Sequence, residues 1–434
     1  MSEGPTIVFF PEGAFGPTNN CVGIGQVLRE RGARVVFVVE ESFAGTLEAQ
    51  GFEEALMRLK PPSDGEEVPG QFWKDFVRET APEFHKPTIE QLEGFILPVW
   101  QELVQGARYV DQRLAEIFAE LKPNVIVEDN VVAFPAVPAS GIPWVRIVSC
   151  NPLELKDPVL PPPFSGYPTH ERTGWDAFRA RYRELHDPLQ GEFSEFCVER
   201  GAPPLPAGEF IHESAFLNLY VFPAEADYER SHAVAGWARL DSCVRETVTE
   251  FELPRDERRR IYLSLGSLGS ADVELMQRLI DTLAGSDFLV VVSMGPRHDE
   301  LRLAENMVGA EFLPQPTILP QVDLVITHGG NNTITESLHF GKPTVVLPLF
   351  WDQHDNAQRM HELGLGRRLE TYGHDPAELM EAIDGLLADA PLADRLGTIS
   401  TRLQADPGTV RAADLIGRLA ETGQRRSMTS SISP

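Results

Sequence analysis

Residues 311–366 read EFLPQPTILPQVDLVITHGGNNTITESLHFGKPTVVLPLFWDQHDNAQRMHELGLG. Within them, residues 323–327 (DLVIT) are a short apolar, β-branched run of the kind that becomes a buried parallel strand. His328, Gly329 and Gly330 follow at once. Then comes a helix start, where Thr333 can cap and Glu336 stands three residues on, the spacing of a capping box. The helix is expected over residues 334–340, stopped by Gly341 with Pro343 behind it, and residues 344–348 (TVVLP) form the next strand. Strand, glycine turn, helix and strand make one unit of a doubly wound α/β sheet. Its helix start offers unpaired N–H groups and the positive end of a dipole, a ready site for phosphate.

The polar residues of this unit stand where a nucleotide needs them. His328, Asn332 and Thr333 cluster at the strand's carboxyl end, where open α/β sheets bind ligands. Glu336 lies one turn further in, placed to accept from two vicinal hydroxyls, and Asp352 and Gln353 can hydrogen-bond a sugar ring. Singly, each has a plain structural reading: Glu336 closes a cap, Asp352 is a solvated loop residue, and a lone glycine turn matches many folds by chance. Six polar residues in register with two strand ends favour a nucleotide-sugar.

The segment resembles the signature of the nucleoside-diphosphate-sugar glycosyltransferases of the GT-B fold, family 1, the family of plant and macrolide-type glucosyltransferases. The matching residues are Phe312, Pro314 and Gln315; His328, Gly329, Gly330, Asn332 and Thr333; Glu336; Gly341 and Pro343; and Asp352, Gln353, Asn356 and Ala357. The resemblance implies two Rossmann-like doubly wound domains facing across a cleft, with a UDP-sugar as co-substrate and neither metal nor cofactor. It implies that Phe312, with Leu313 and Gln315 beside it, meets the base, where plant members usually carry Trp. By the same resemblance His328, Gly330, Asn332, Thr333 and the Gly266-Ser267 turn hold the phosphates, Glu336 the ribose, and Asp352 with Gln353 the sugar hydroxyls. Gln353 is similar to the residue of glucose users, and the retained Glu336 points to UDP over dTDP.

Length and charge bound the rest. A chain of 434 residues exceeds what one core usually serves, so two domains are expected. With 65 acidic against 38 basic residues the net charge is −27, which disfavours nucleic acid and anionic membrane as partners. Cys21, Cys150, Cys197 and Cys243 lie far apart, without the spacing of a disulfide framework or zinc site. No apolar run approaches the ~20 residues of a membrane span and no signal peptide is evident, so a cytoplasmic protein, monomer or homodimer, is expected.

Taken in order, residues 6–10 (TIVFF) and 34–39 (RVVFVV) read as strands flanking a helix that starts after a turn-rich loop at residues 11–20. Glycines 13, 16 and 23 have the wrong spacing for a dinucleotide fingerprint. Aromatic residues then thread helical sequence, and Trp73, Phe76, Phe84 and Trp100 are candidate walls for a flat, lipophilic acceptor. The proline-rich stretch 151–168 is long and unperiodic, the mark of a mobile functional lid. The expected domains are an acceptor half at residues 1–225, a linker at 226–258, a donor half at 259–420 and a disordered tail at 421–434.

One departure stands in the acceptor half. The family's first loop carries Gly-His, the His being the general base, and alignment on Pro17 puts Gly13 at the glycine but Ala14 at the histidine. Asp129 occupies the position of the acid that normally steers that His. Asp129 and Glu12, the loop's own carboxylate, are therefore the candidate catalytic residues, in that order. Either a carboxylate serves as base, or the acceptor ionises unaided, or the chain binds nucleotide without catalysis. The expected function is inverting, metal-independent transfer of a hexose to a small phenolic or polyketide-like acceptor. Sugar-nucleotide epimerisation on the same fold is the enzymatic alternative.

Overall fold

The computed structural model describes residues 4–13, 15–61, 79–231, 236–247 and 251–423. Among these, two all-parallel sheets organise the chain. The first has the order β3-β2-β1-β4-β5-β6-β7, built from β1 (Thr6–Pro11), β2 (Arg34–Glu40), β3 (Glu53–Met57), β4 (Val125–Asp129), β5 (Trp144–Val148), β6 (Leu217–Tyr220) and β7 (Trp237–Arg239). The second has the order β10-β9-β8-β11-β12-β13, from β8 (Arg260–Ser264), β9 (Leu289–Ser293), β10 (Met307–Ala310), β11 (Leu324–Thr327), β12 (Thr344–Val346) and β13 (Gly366–Arg368). Their central strands are almost wholly buried because helices cover both faces, which is why they read as unbroken apolar runs. This is the GT-B architecture that the sequence implied.

The main helices follow the apolar spacing. They are α1 (Phe15–Glu30), α2 (Leu97–Leu121), α3 (Trp175–Glu199), α4 (Val273–Leu283), α5 (Asn331–His339), α6 (Gln353–Glu362), α7 (Pro376–Ala388), α8 (Ala390–Ala405) and α9 (Gly408–Thr422). In α2, Trp100, Val104, Ala107, Val110, Leu114 and Ile117 line one face at three- and four-residue intervals and are buried. One core runs through both halves, joining Phe84, Phe95 and Trp100 of the first to Leu347, Leu349 and Phe350 of the second. A second core lies under α1, where Ile7, Val22 and Ile24 meet Ala412, Ala413, Ile416 and Leu419 of α9. The last helix thus leaves the donor half and completes the acceptor half.

Several local expectations change. The helix expected at 334–340 begins at Asn331 with Gly330 at its N-cap, and its capping box is absent, because Glu336 bonds to side chains. Residues 390–405 form a helix with Pro391 in its first turn, and β3 is an edge strand. Stretch 151–168 is held in place, not loose. Asp355 accepts from the backbone N–H of Phe164 (2.6 Å) and Gly166 (2.8 Å), while Arg368 donates to the Gly166 carbonyl at 2.8 Å.

Candidate functional site

The donor half of the site is built on the start of α5. β11 ends at Thr327, and Gly329 (φ +91°) turns the chain so that residues 330–333 open the helix with free N–H groups toward the cleft. His328 is wedged between two glycines. A Cβ on Gly266 would lie 2.7 Å from its Cε1, and one on Gly330 would lie 2.7 Å from its Nε2. Burial pushes the imidazole pKa down to about 4, against a hydrogen bond to the Ser264 backbone, so the ring is neutral and its one N–H is engaged there. Ser267 sits in the helical turn Gly266–Gly269 above the same glycine pair. The phosphate candidates His328, Gly330, Asn332, Thr333 and Ser267 therefore belong to one surface made by two strand ends.

Further along α5, Glu336 is 2% exposed and takes three donors. Gln315 Nε2 donates to its Oε2 at 2.6 Å, and Asn332 Nδ2 and Arg245 Nη1 reach its Oε1 at 3.1 and 3.3 Å. Gln315 Nε2 also lies 3.4 Å from Thr333 Oγ1, which ties the expected base, ribose and phosphate positions together. Phe312 is 54% exposed, an aromatic face at the rim, whereas Leu313 is half-buried against the cluster around Tyr262 and Val291.

Asp352 and Gln353 are more committed than their expected sugar contact requires. Asp352 Oδ2 accepts the Asn151 backbone N–H at 2.8 Å, and Asn356 Oδ1 accepts from Asn151 Nδ2 at 2.8 Å. Gln353 Oε1 accepts from the N–H of Leu349 (3.0 Å) and Phe350 (3.2 Å), leaving its amide nitrogen to donate elsewhere. Directly before Asp352 stands Trp351, held at φ +58°, a costly conformation for a bulky residue. Its ring lies 5.3 Å from Trp100 and 4.5 Å from Phe164.

The acceptor half is assembled from the ends of β1, β4 and β5. In register, Phe10 pairs with Glu128 and Pro11 with Asp129. Because side chains alternate along a strand, Glu128 and Asp129 point to opposite faces. Glu128 faces Arg146 across β5, and burial raises its pKa to about 8. Asp129 Oδ2 accepts from Ser149 Oγ at 2.5 Å, with the Cys21 thiol 3.9 Å away. Burial foremost raises Asp129 to about 7, against the Ser149 hydrogen bond, and the charge of Glu12 adds to the rise. Glu12 is half-buried and its carboxylate has no hydrogen-bond partner among the described residues; burial, then the charge of Asp352, raises it to about 7. Ala14 lies outside the described residues.

The two halves touch where the chemistry is expected. A Cβ on Gly16, in the first turn of α1, would lie 3.8 Å from the Asn332 Cβ in the first turn of α5. Asn331 Nδ2 donates across the seam to the carbonyls of Ser149 (2.9 Å) and Val221 (3.0 Å). Of the expected acceptor walls, Trp73 and Phe76 lie outside the described residues. Phe84 and Trp100 are packing residues instead: Phe84 is 7% exposed between Phe95 and Phe350, and Trp100 is 3% exposed, stacked 4.3 Å from Phe210. Density of aromatic residues signalled core here, the commoner outcome. Sequence reasoning missed Arg245 and Asn151, whose roles exist only through partners 91 and 201 residues away.

The comparisons fall on this geometry. Residues 277–417, which carry the whole α5–α6 surface, match the family model described as Erythromycin biosynthesis protein CIII-like, C-terminal domain. Over 407 residues, 92% of this chain and 93% of the relative, the sequence is 23% identical to the NDP-glycosyltransferase YjiC of Bacillus subtilis (strain 168). The chain has the GT-B fold, and along its length it is similar to family 1 glycosyltransferases. It superposes on the solved glycotransferase of kitacinnamycin with a TM-score of 0.66 at 22% identity, covering 96% of this chain and 99% of that one. For the glycosyltransferase VinC, solved in complex with dTDP, the TM-score is 0.64 at 16% identity, with 96% and 99% covered. No helix among the transferase's described residues is long and apolar enough to cross a membrane.

Proposed function

We propose that the transferase moves a hexose, glucose in the first instance, from a UDP-sugar to a small lipophilic acceptor of the phenolic or polyketide kind. The configuration inverts at the anomeric carbon and no metal or other cofactor takes part. The observation that carries this reading is the meeting of the α1 and α5 starts at Gly16 and Asn332, with Glu12 near enough to Asp352 and Asp129 for their charges to interact.

The leaving diphosphate needs donors that are already in place. The α5 N–H groups with Asn332, Thr333 and Ser267 supply them, and preorganised donors of this kind are the largest single contribution in many enzymes. On the other side a base must take the acceptor's proton. Glu12 suits this better than Asp129, although the sequence ranks them the other way. Asp129 is 3% exposed and bound to Ser149, whereas Glu12 is half-buried, unpartnered and titrates at about 7. A carboxylate raised to the working pH is a far stronger base than one near 4.

Incubation with UDP-glucose and dTDP-glucose, with and without a panel of phenols and polyketides, tests the reading by mass spectrometry. Glycosylated acceptor is the expected product, with UDP-glucose the better donor. A sugar-nucleotide isomer formed without acceptor would replace the reading by epimerisation. Nucleotide binding with no product from any acceptor would replace it by a non-catalytic nucleotide-binding role.

A further inference from the structure

The segment that joins the two halves does more than connect them. Beyond β7 it is clamped on both sides. Gln26 of α1 exchanges two hydrogen bonds with the Glu246 backbone, each 3.0 Å, and a Cβ on Gly23 would meet the Arg245 Cα at 3.2 Å. On its other side Ser242 Oγ lies 2.9 Å from His339 Nδ1, and Arg245 Nη1 lies 3.3 Å from Glu336 Oε1, both on α5. Arg245 is itself largely buried, its side chain 18% exposed against 2% for Glu336.

We propose that Arg245 is a positioning residue that holds Glu336 as an acceptor for a vicinal diol, so that the donor site selects a ribose nucleotide over its 2′-deoxy counterpart. The inference rests on the UDP-sugar reading above and assigns the source of its ribose selectivity. A carboxylate has about four acceptor positions, and Asn332, Gln315 and Arg245 fill three. A ribose diol needs two. The longest of the three bonds, that to Arg245, is the one to yield, while the guanidinium charge remains close enough to act through space.

Charge is what the site cannot do without. Burial pushes the Glu336 pKa up, and the Arg245 charge is the largest opposing influence, ahead of Gln315 and Asn332. The other titratable groups around it are silent near neutrality: Tyr262 of β8 is raised to about 12 and His339 is lowered to about 4. Removing Arg245 therefore pushes Glu336 further toward its protonated form. A protonated Glu336 keeps one oxygen as acceptor and turns the other into a donor, which a second hydroxyl does not need.

Calorimetry with UDP and 2′-deoxyuridine diphosphate at pH 6 and pH 8 tests this on the full chain. The wild-type protein is expected to prefer UDP roughly tenfold or more at both values, the worth of a hydrogen bond to a charged group. Arg245→Met weakens the preference, more at the lower pH, and Arg245→Lys restores it. Glu336→Gln has no preference at either pH, and adding Arg245→Met to it changes nothing further. Should Arg245→Met fail to fold, Arg245→Gln carries the same comparison. A wild-type preference that the Arg245 substitutions leave intact at both pH values overturns the inference while sparing the donor reading. Wild-type protein that binds neither nucleotide overturns both.

Discussion

The starts of α1 and α5 are the same device used twice. Each follows the carboxyl end of a central parallel strand, each opens through a glycine-containing loop, and they face one another across 3.8 Å at Gly16 and Asn332. Yet the α5 start is crowded with side-chain partners, while the α1 start has one unpartnered carboxylate, Glu12, and a buried one behind it, Asp129. The difference follows from what each must handle. A diphosphate is a permanent anion that wants many fixed donors. An acceptor hydroxyl presents one proton for one moment, so a single group of suitable pKa suffices.

The comparison breaks most sharply at Glu12. Glu12→Gln is expected to lower kcat by roughly 10²–10⁴-fold on neutral hydroxyl acceptors with UDP affinity unchanged, the ordinary contribution of a general base. Because the base must be ionised and titrates at about 7, wild-type kcat falls as pH drops below that value and levels off above it. Asp129→Asn should cost less, acting through Ser149 and the loop. If Glu12→Gln retains full activity and a flat profile, the acceptor's own acidity carries the deprotonation.

On the α5 side, Gly330→Ala puts a methyl 2.7 Å from His328 Nε2 and forces a shift at the phosphate-binding helix start. A fall in kcat of roughly 10–100-fold is expected, approaching the loss seen when one oxyanion donor is removed. Unchanged kinetics would show that this helix start does not serve the leaving group. Phe312→Ala should raise the UDP Kd by about tenfold, since aromatic–base stacking is worth about 1–3 kcal/mol. Unaltered affinity would leave Phe312 as a surface residue alone. The smallest effect on binding belongs to Asp355→Ala, which frees the Phe164 and Gly166 amides. It should leave the UDP Kd as it is while exposing stretch 151–168 to limited proteolysis; continued protection would mean that Arg368 and buried contacts hold the stretch unaided.

The same contrast explains what could be read from the sequence. The donor surface is local: from Phe312 to Asn356 the strand, glycine turn and helix follow one another, so spacing alone brings their residues together. Elements set by short-range pattern, such as β1, β2, β8 and β11, were likewise apparent. What the sequence obscured depends on distant partners. Glu336 has the spacing of a cap yet serves Arg245, and Asp352 has the look of a free loop carboxylate yet takes the Asn151 amide. β3 (EEALM) carries too many acidic residues for a buried strand, which an edge position permits. Phe84 and Trp100 could not be told from pocket walls, because aromatic periodicity is blind to whether a second sheet will cover it.

The return of α9 to the acceptor half sets the order in which the molecule can be finished during synthesis. β1 and α1 leave the ribosome first, but the apolar face they share stays open until residues 412–419 bring Ala412, Ala413, Ile416 and Leu419 to it. Between those events the whole donor half is translated, so the earliest-made helix waits for the latest. The nascent first domain thus keeps apolar surface open for as long as the donor half takes to be made, and the closing helix is what covers it.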